Sequence, residues 1–126
     1  MREEIESWWK QARVDFESAE KNFDSKIYYV SVFLSQQAAE KALKTLYLTK
    51  KKTLVKTHNL LMLAKDLNAP ANVIAASIEL SPNYIITRYP TTGIAIPSEL
   101  YTEKIAEAHL KQAKEVILWV KKSLDK

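Results

Sequence analysis

Apolar positions recur at helical spacing through most of the chain. Ile5, Trp8, Trp9, Ala12, Phe16, Ala19 and Phe23 follow a 3.6-residue period and predict a helix from about Arg2 to Phe23 with a narrow apolar stripe. The stretch Tyr28 to Lys50, without Gly or Pro and rich in strong helix formers from Gln36 to Leu48, predicts a second helix roughly 35 Å long. At 100° per residue, Val32, Ala39, Ala42, Leu43 and Leu46 make one apolar arc. Gln37, Glu40, Lys41 and Lys44 fall within roughly 100° of one another on the far side, in an arc that also holds Val30, Phe33 and Leu48. A helix apolar on most of its circumference belongs at the centre of a fold. Four polar groups among its hydrophobes mark either a site or an interface.

The short turn Asn22 to Lys26 makes these two helices antiparallel neighbours. After a loop beyond Lys52, Thr57 is the expected N-cap of a third helix, His58 to Asn68, with His58 in its first turn and Leu60, Leu61, Leu63, Ala64 and Leu67 on its apolar face. Pro70, in the first helical position that suits proline, opens Ala71 to Leu80. The pattern then breaks. SPNYIITRYPTTGIAIP holds three of the four prolines and the only glycine, and reads as an ordered connection or a short helix plus loop. The last helix is expected from Ser98, as N-cap, to Leu124. Ile105, Ala106, Leu110, Ala113, Val116, Ile117, Val120 and Leu124 form its stripe, with His109 in the middle. Leu118 and Trp119 fall outside it and hint at a second contact, such as a subunit interface. No long strand alternation occurs. The fold class is all-α: an up-down bundle of four main helices plus a short extra one, in a single domain spanning residues 1–126.

Composition narrows the chemistry. Absence of cysteine excludes a disulfide framework, thiol catalysis and Cys-ligated zinc, and fits a reducing, cytoplasmic setting. The acidic, amphipathic start MREEIESWWK predicts no signal peptide, and no apolar run is long enough to span a membrane. A net charge of +4, with surplus at Lys50–Lys52, Lys56 and Lys121–Lys122, is compatible with a phosphate-bearing partner and equally with solvated helix ends. One glycine argues against P-loop and dinucleotide-binding turns. No metal or resident cofactor is expected.

Candidate chemistry gathers in two places. In the connection, Arg88 stands between Tyr84 and Tyr89; Arg pairs bidentately with phosphate, and tyrosines stack on bases or bond a sugar, while the plainer role is an Arg tying the loop to carbonyls. On the second helix, Glu40 and Lys44 are spaced as an i,i+4 pair, either orienting the lysine toward a ligand or merely bracing the helix. Trp8 and Trp9 read as core, though they could stack on a base; His58 and His109 read as structural.

WWKQARVDFESAE, YYVSVFLSQQAAEKALKTLYL, KTHNLLML, NYIITRYP and AHLKQAKEVILWV, in this order along nearly the whole chain, resemble the HEPN family, the "higher eukaryotes and prokaryotes nucleotide-binding" domain. The resemblance implies a helical bundle, commonly a homodimer. It also implies either nucleotide binding, with ATP a suitable ligand, or service beside a minimal nucleotidyltransferase in a two-component, toxin–antitoxin-like system. Some members are metal-independent endoribonucleases with an Arg followed four to six residues later by a His. Arg88 matches that Arg, but the positions after it are Thr92, Gly93 and Ile94, so the nuclease motif is not met and no catalytic residue is assigned. Gln37, Glu40, Lys41, Lys44, Arg88 and Tyr89 form the expected nucleotide- or partner-binding set. The alternatives are a divergent ribonuclease acting on RNA through Glu40 or His58, and a purely structural dimer.

Overall fold

The structure is a computed structural model, and it describes residues 2–90 and 95–126. Among these, seven helices follow in order: α1 (Arg2–Asp24), α2 (Tyr28–Lys51), α3 (Leu60–Asp66), α4 (Ala71–Leu80), α5 (Asn83–Ile86), α6 (Pro97–Leu100) and α7 (Glu103–Leu124). The all-α bundle stands as expected. The irregular connection contributes the two single-turn helices α5 and α6. Thr92, Gly93 and Ile94, the positions of the unmet nuclease motif, lie outside the described residues.

α2 is the axis. It touches every other described helix, most extensively α1 and α7. Val32, Ala39, Ala42, Leu43 and Leu46 are fully buried, as its apolar arc predicts. Small residues let the partners close in: Ala12 and Ala19 of α1 and Ala106 and Ala113 of α7 are fully buried too. Ser31 Oγ on α2 donates to Ala19 O of α1 at 2.8 Å, sealing the hairpin near its turn. Leu60, Leu63, Val73 and Leu80 close the core from α3 and α4.

Several helix ends differ from the periodicity reading. α3 starts later than expected: Asn59, not Thr57, is the N-cap, its side chain accepting from Met62 N. Thr57 Oγ1 accepts from Asn59 N instead, so the cap motif is displaced and His58 stays in the loop. Pro70 is the N-cap of α4, one residue before the first helical position. The last helix is interrupted: Tyr101 is extended and Thr102, not Ser98, caps α7 by accepting from Ile105 N. Ser98 lies inside α6, so the hydroxyl that stands where the chain enters α7 is that of Thr102. Two stripe assignments shift as well. Ile105 is 39% exposed, whereas Trp119 packs against the core and leaves Leu118 as the exposed outlier. No described helix is long and apolar enough to cross a membrane.

Candidate functional site

Glu40 is the hub of the α2 polar face. Its carboxylate is buried, and three groups converge on it. Gln36 Nε2 donates to Oε1 at 3.0 Å, Lys44 Nζ donates to Oε2 at 3.0 Å, and His58 Nδ1 lies 3.0 and 3.1 Å from the two oxygens. Side-chain exposure of both Glu40 and Lys44 is 5%, so this is no solvated i,i+4 brace. Two charges out of water persist only when each has close partners. Gln36 extends the chain by accepting from Gln37 Nε2 at 2.7 Å. Lys44 Nζ also lies 5.8 Å from the Trp8 ring centroid, a cation–π contact across to α1.

From His58 the site continues by stacking. Its imidazole lies 3.8 Å from the Tyr84 ring centroid at 12°. The Arg88 guanidinium carbon sits 4.3 Å from the same ring and 4.7 Å from Phe33 of α2. A parallel imidazole at 3.8 Å fills one face of Tyr84, so Arg88 takes the other. The order is Glu40, His58, Tyr84, Arg88, Phe33. This pile joins the polar face of α2 to the α5 turn and returns to α2.

The placement sorts the expected residues. Gln37, Glu40 and Lys44 share one network, which reaches Arg88 through His58 and Tyr84. Lys41 is not part of it. Its amino group pairs with Asp15 of α1, which also accepts from Gln11 Nε2 at 2.8 Å. Tyr89 is 51% exposed, and it is Tyr84 that stacks on Arg88. Lys44, expected to meet phosphate, is turned inward to Glu40. Sequence reasoning missed Gln36, which lies one residue from the chosen face and is fully buried. It placed His58 in a helix rather than against Glu40, 18 residues away, and the signal for that pairing was absent from any local spacing.

Open hollows surround the pile. A groove of about 490 Å³ runs between α3, α4 and α5, lined by His58, Tyr84 and apolar Leu61, Ile78 and Ile85. Two smaller hollows, about 300 and 170 Å³, flank Arg88, with Tyr29 and Thr87 bordering both. Among the described residues no carboxylate pairs with Arg88. Nor does any cluster of three or more His, Asp or Glu there have the makings of a metal site.

The model of the HEPN domain family matches residues 5–123. No curated protein matches the chain. Among solved structures, TT1696 from Thermus thermophilus is 31% identical with a TM-score of 0.87, over 94% of this chain and 96% of that one. ST0689, an archaeal HEPN homologue, is 34% identical with a TM-score of 0.82, again over 94% and 96%. A HEPN domain protein from Thermotoga maritima shares the fold at 22% identity and a TM-score of 0.76, over 95% and 98%.

Proposed function

The chain belongs to the HEPN domain family, and on that premise we propose that it is a nucleotide-binding module whose phosphate contact is Arg88. One observation carries the reading. The rings of Phe33 and Tyr84 both lie against the guanidinium, 4.7 and 4.3 Å from its carbon, and no described carboxylate pairs with it. An aromatic ring offers no in-plane acceptor, so among the described residues the guanidinium N–H donors of Arg88 have no hydrogen-bond partner, and their fork geometry matches a phosphate. The side chain is thus held in place before a ligand arrives, which lowers the ordering cost of binding. ATP is the representative ligand; the acidic surface of a minimal nucleotidyltransferase would meet the same edge in a two-component system, with the chain acting as a homodimer.

Titration with ATP, followed by tryptophan fluorescence and amide shifts, tests this. Saturable binding lost in Arg88→Ala and not restored in Arg88→Lys is expected, because lysine offers neither fork nor flat face. Absence of binding by wild type at millimolar ATP would remove the nucleotide reading and leave the polar face as an interface.

A second reading is favoured by the Glu40–His58 contact. A carboxylate holding Nδ1 leaves Nε2 to act on a proton, which supports a reading in which His58 serves metal-independent RNA cleavage, with Arg88 steadying the phosphate. Cleavage that vanishes in both His58→Ala and Arg88→Ala would support it; cleavage persisting in both would trace to a contaminant.

A further inference from the structure

α5 has only four residues, yet it carries Tyr84 and starts the turn that places Arg88. Its anchor is Asn83, 5% exposed and bonded on every side. Nδ2 has two hydrogens and three neighbours: Glu79 O at 3.0 Å and Leu80 O at 3.2 Å, consecutive carbonyls that can share one hydrogen, and His109 Nε2 of α7 at 2.9 Å, which faces the other. Oδ1 accepts from Tyr101 Oη at 2.7 Å, and the Asn83 carbonyl accepts from Thr87 Oγ1 and Thr87 N. The amide cannot be reversed, because Oδ1 would then face two carbonyl oxygens. Its Nδ2–H therefore requires a lone pair on His109 Nε2, and so a neutral imidazole with its proton on Nδ1. His109 Nδ1 and Gln112 Oε1 are both buried without a hydrogen-bond partner of good geometry, although Gln112 is near enough to influence the ring.

We propose that Asn83 is the positioning residue of the Arg88 clamp, and that protonation of His109 releases it, making phosphate binding at Arg88 proton-sensitive. This deepens the nucleotide reading and rests on it. A proton on Nε2 sets donor against donor. The amide must then give up His109 or turn and give up both carbonyls, and either move loosens the residue next to Tyr84. The surroundings favour the neutral ring: burial lowers the His109 pKa, outweighing Glu79 of α4, which raises it, and the hydrogen-bonding influence of Gln112. α1 and α2 supply no charged group acting on it. On the other side of Asn83, burial pushes the Tyr101 phenol up to about 12, so that it remains a donor to Oδ1.

The experiment follows the Arg88 Nε–Hε resonance and the Tyr84 ring signals of the ligand-free chain from pH 7.5 downward, in wild type, His109→Gln and Asn83→Ala. ATP affinity is measured in parallel. Glutamine at position 109 keeps an acceptor but takes no proton. The expected result is a loss of ring-current shift at Arg88 as wild type is acidified. ATP affinity should fall by up to about tenfold per pH unit more in wild type than in His109→Gln. Any change at Tyr84 that belongs to the stacked His58 remains in His109→Gln and is subtracted. Matching pH profiles in wild type and His109→Gln, or Arg88 signals unaltered in a folded Asn83→Ala, would overturn the proposal. Proton-dependent Arg88 signals without ATP binding at any pH would keep the latch and sink the nucleotide reading instead.

Discussion

Two buried polar clusters hold this bundle to its candidate site, and they are built differently. The α2 cluster is ionic: Glu40 against Lys44, with Gln36 and His58 completing the carboxylate. The α5 cluster is neutral: Asn83 among two carbonyls, an imidazole nitrogen and a phenol. The hub of each, Glu40 and Asn83, is nearly free of solvent, so each hub needs its partners. Ionic groups raise the cost of losing one member, whereas a neutral network that depends on an imidazole lone pair is sensitive to a proton. The first cluster therefore fixes the frame, and the second governs how firmly the Tyr84–Arg88 turn is seated on it.

The largest effect should come from splitting the ion pair. Glu40→Ala leaves the Lys44 ammonium buried without its counter-charge, and a loss of about 3–5 kcal/mol is expected in urea or thermal unfolding. Replacing both partners by apolar residues of similar size, Glu40→Leu with Lys44→Met, should recover part of it, because no uncompensated charge remains while buried Gln36 Nε2 still lacks its acceptor. A loss of under about 1 kcal/mol in the single variant would mean that the pair behaves as an exposed one, erasing the contrast.

A middle-sized effect distinguishes the second cluster by its pH dependence. Burial lowers the His109 pKa from 6.5, so as pH falls past that value the unfolded chain takes up a proton that the folded chain resists. Stability contributed by the neutral imidazole is thus present above about pH 6.5 and lost as pH drops through the window down to the folded-state pKa. Wild type should lose up to about 1.4 kcal/mol per pH unit there relative to His109→Gln. Parallel stability curves for the two proteins would show that the imidazole titrates as it does in water.

The two clusters also differ in how far the sequence reveals them. Glu40 and Lys44 stand four residues apart on a helix without Gly or Pro, so a helical wheel puts them together and marks α2 as central. The α5 cluster joins residues 83, 101 and 109 from three elements, and no local period connects them. His109 in an apolar stripe reads as packed and hydrogen-bonded, which it is, but its partner lies 26 residues away. The same limit explains His58, whose partner depends on where the loop before α3 crosses α2. It explains the α6–α7 break too: an extended Tyr101 is set by Asn83, a tertiary contact, while the periodic pattern on either side reads as one continuous helix. The long helices and the core face of α2 were therefore legible, whereas the pile ending at Arg88 depended on chain crossings.

The smallest effect sharpens the comparison by stepping outside both clusters. Lys26, in the α1–α2 turn, is exposed and holds φ 64°, where a Cβ crowds the following carbonyl. The turn closes through Lys26 N to Phe23 O at 2.9 Å and Ile27 N to Asn22 O at 2.8 Å, bonds that need the backbone and not the lysine side chain. Lys26→Gly removes the Cβ strain, partly offset by the greater freedom glycine has when unfolded. A gain of about 0.5–1 kcal/mol is expected. Neither the Glu40–Lys44 coupling nor the pH slope assigned to His109 should change, because the turn shares no partner with either cluster. If the variant altered either one, the turn would be setting the register of α1 on α2, and the clusters would not be independent supports of the site.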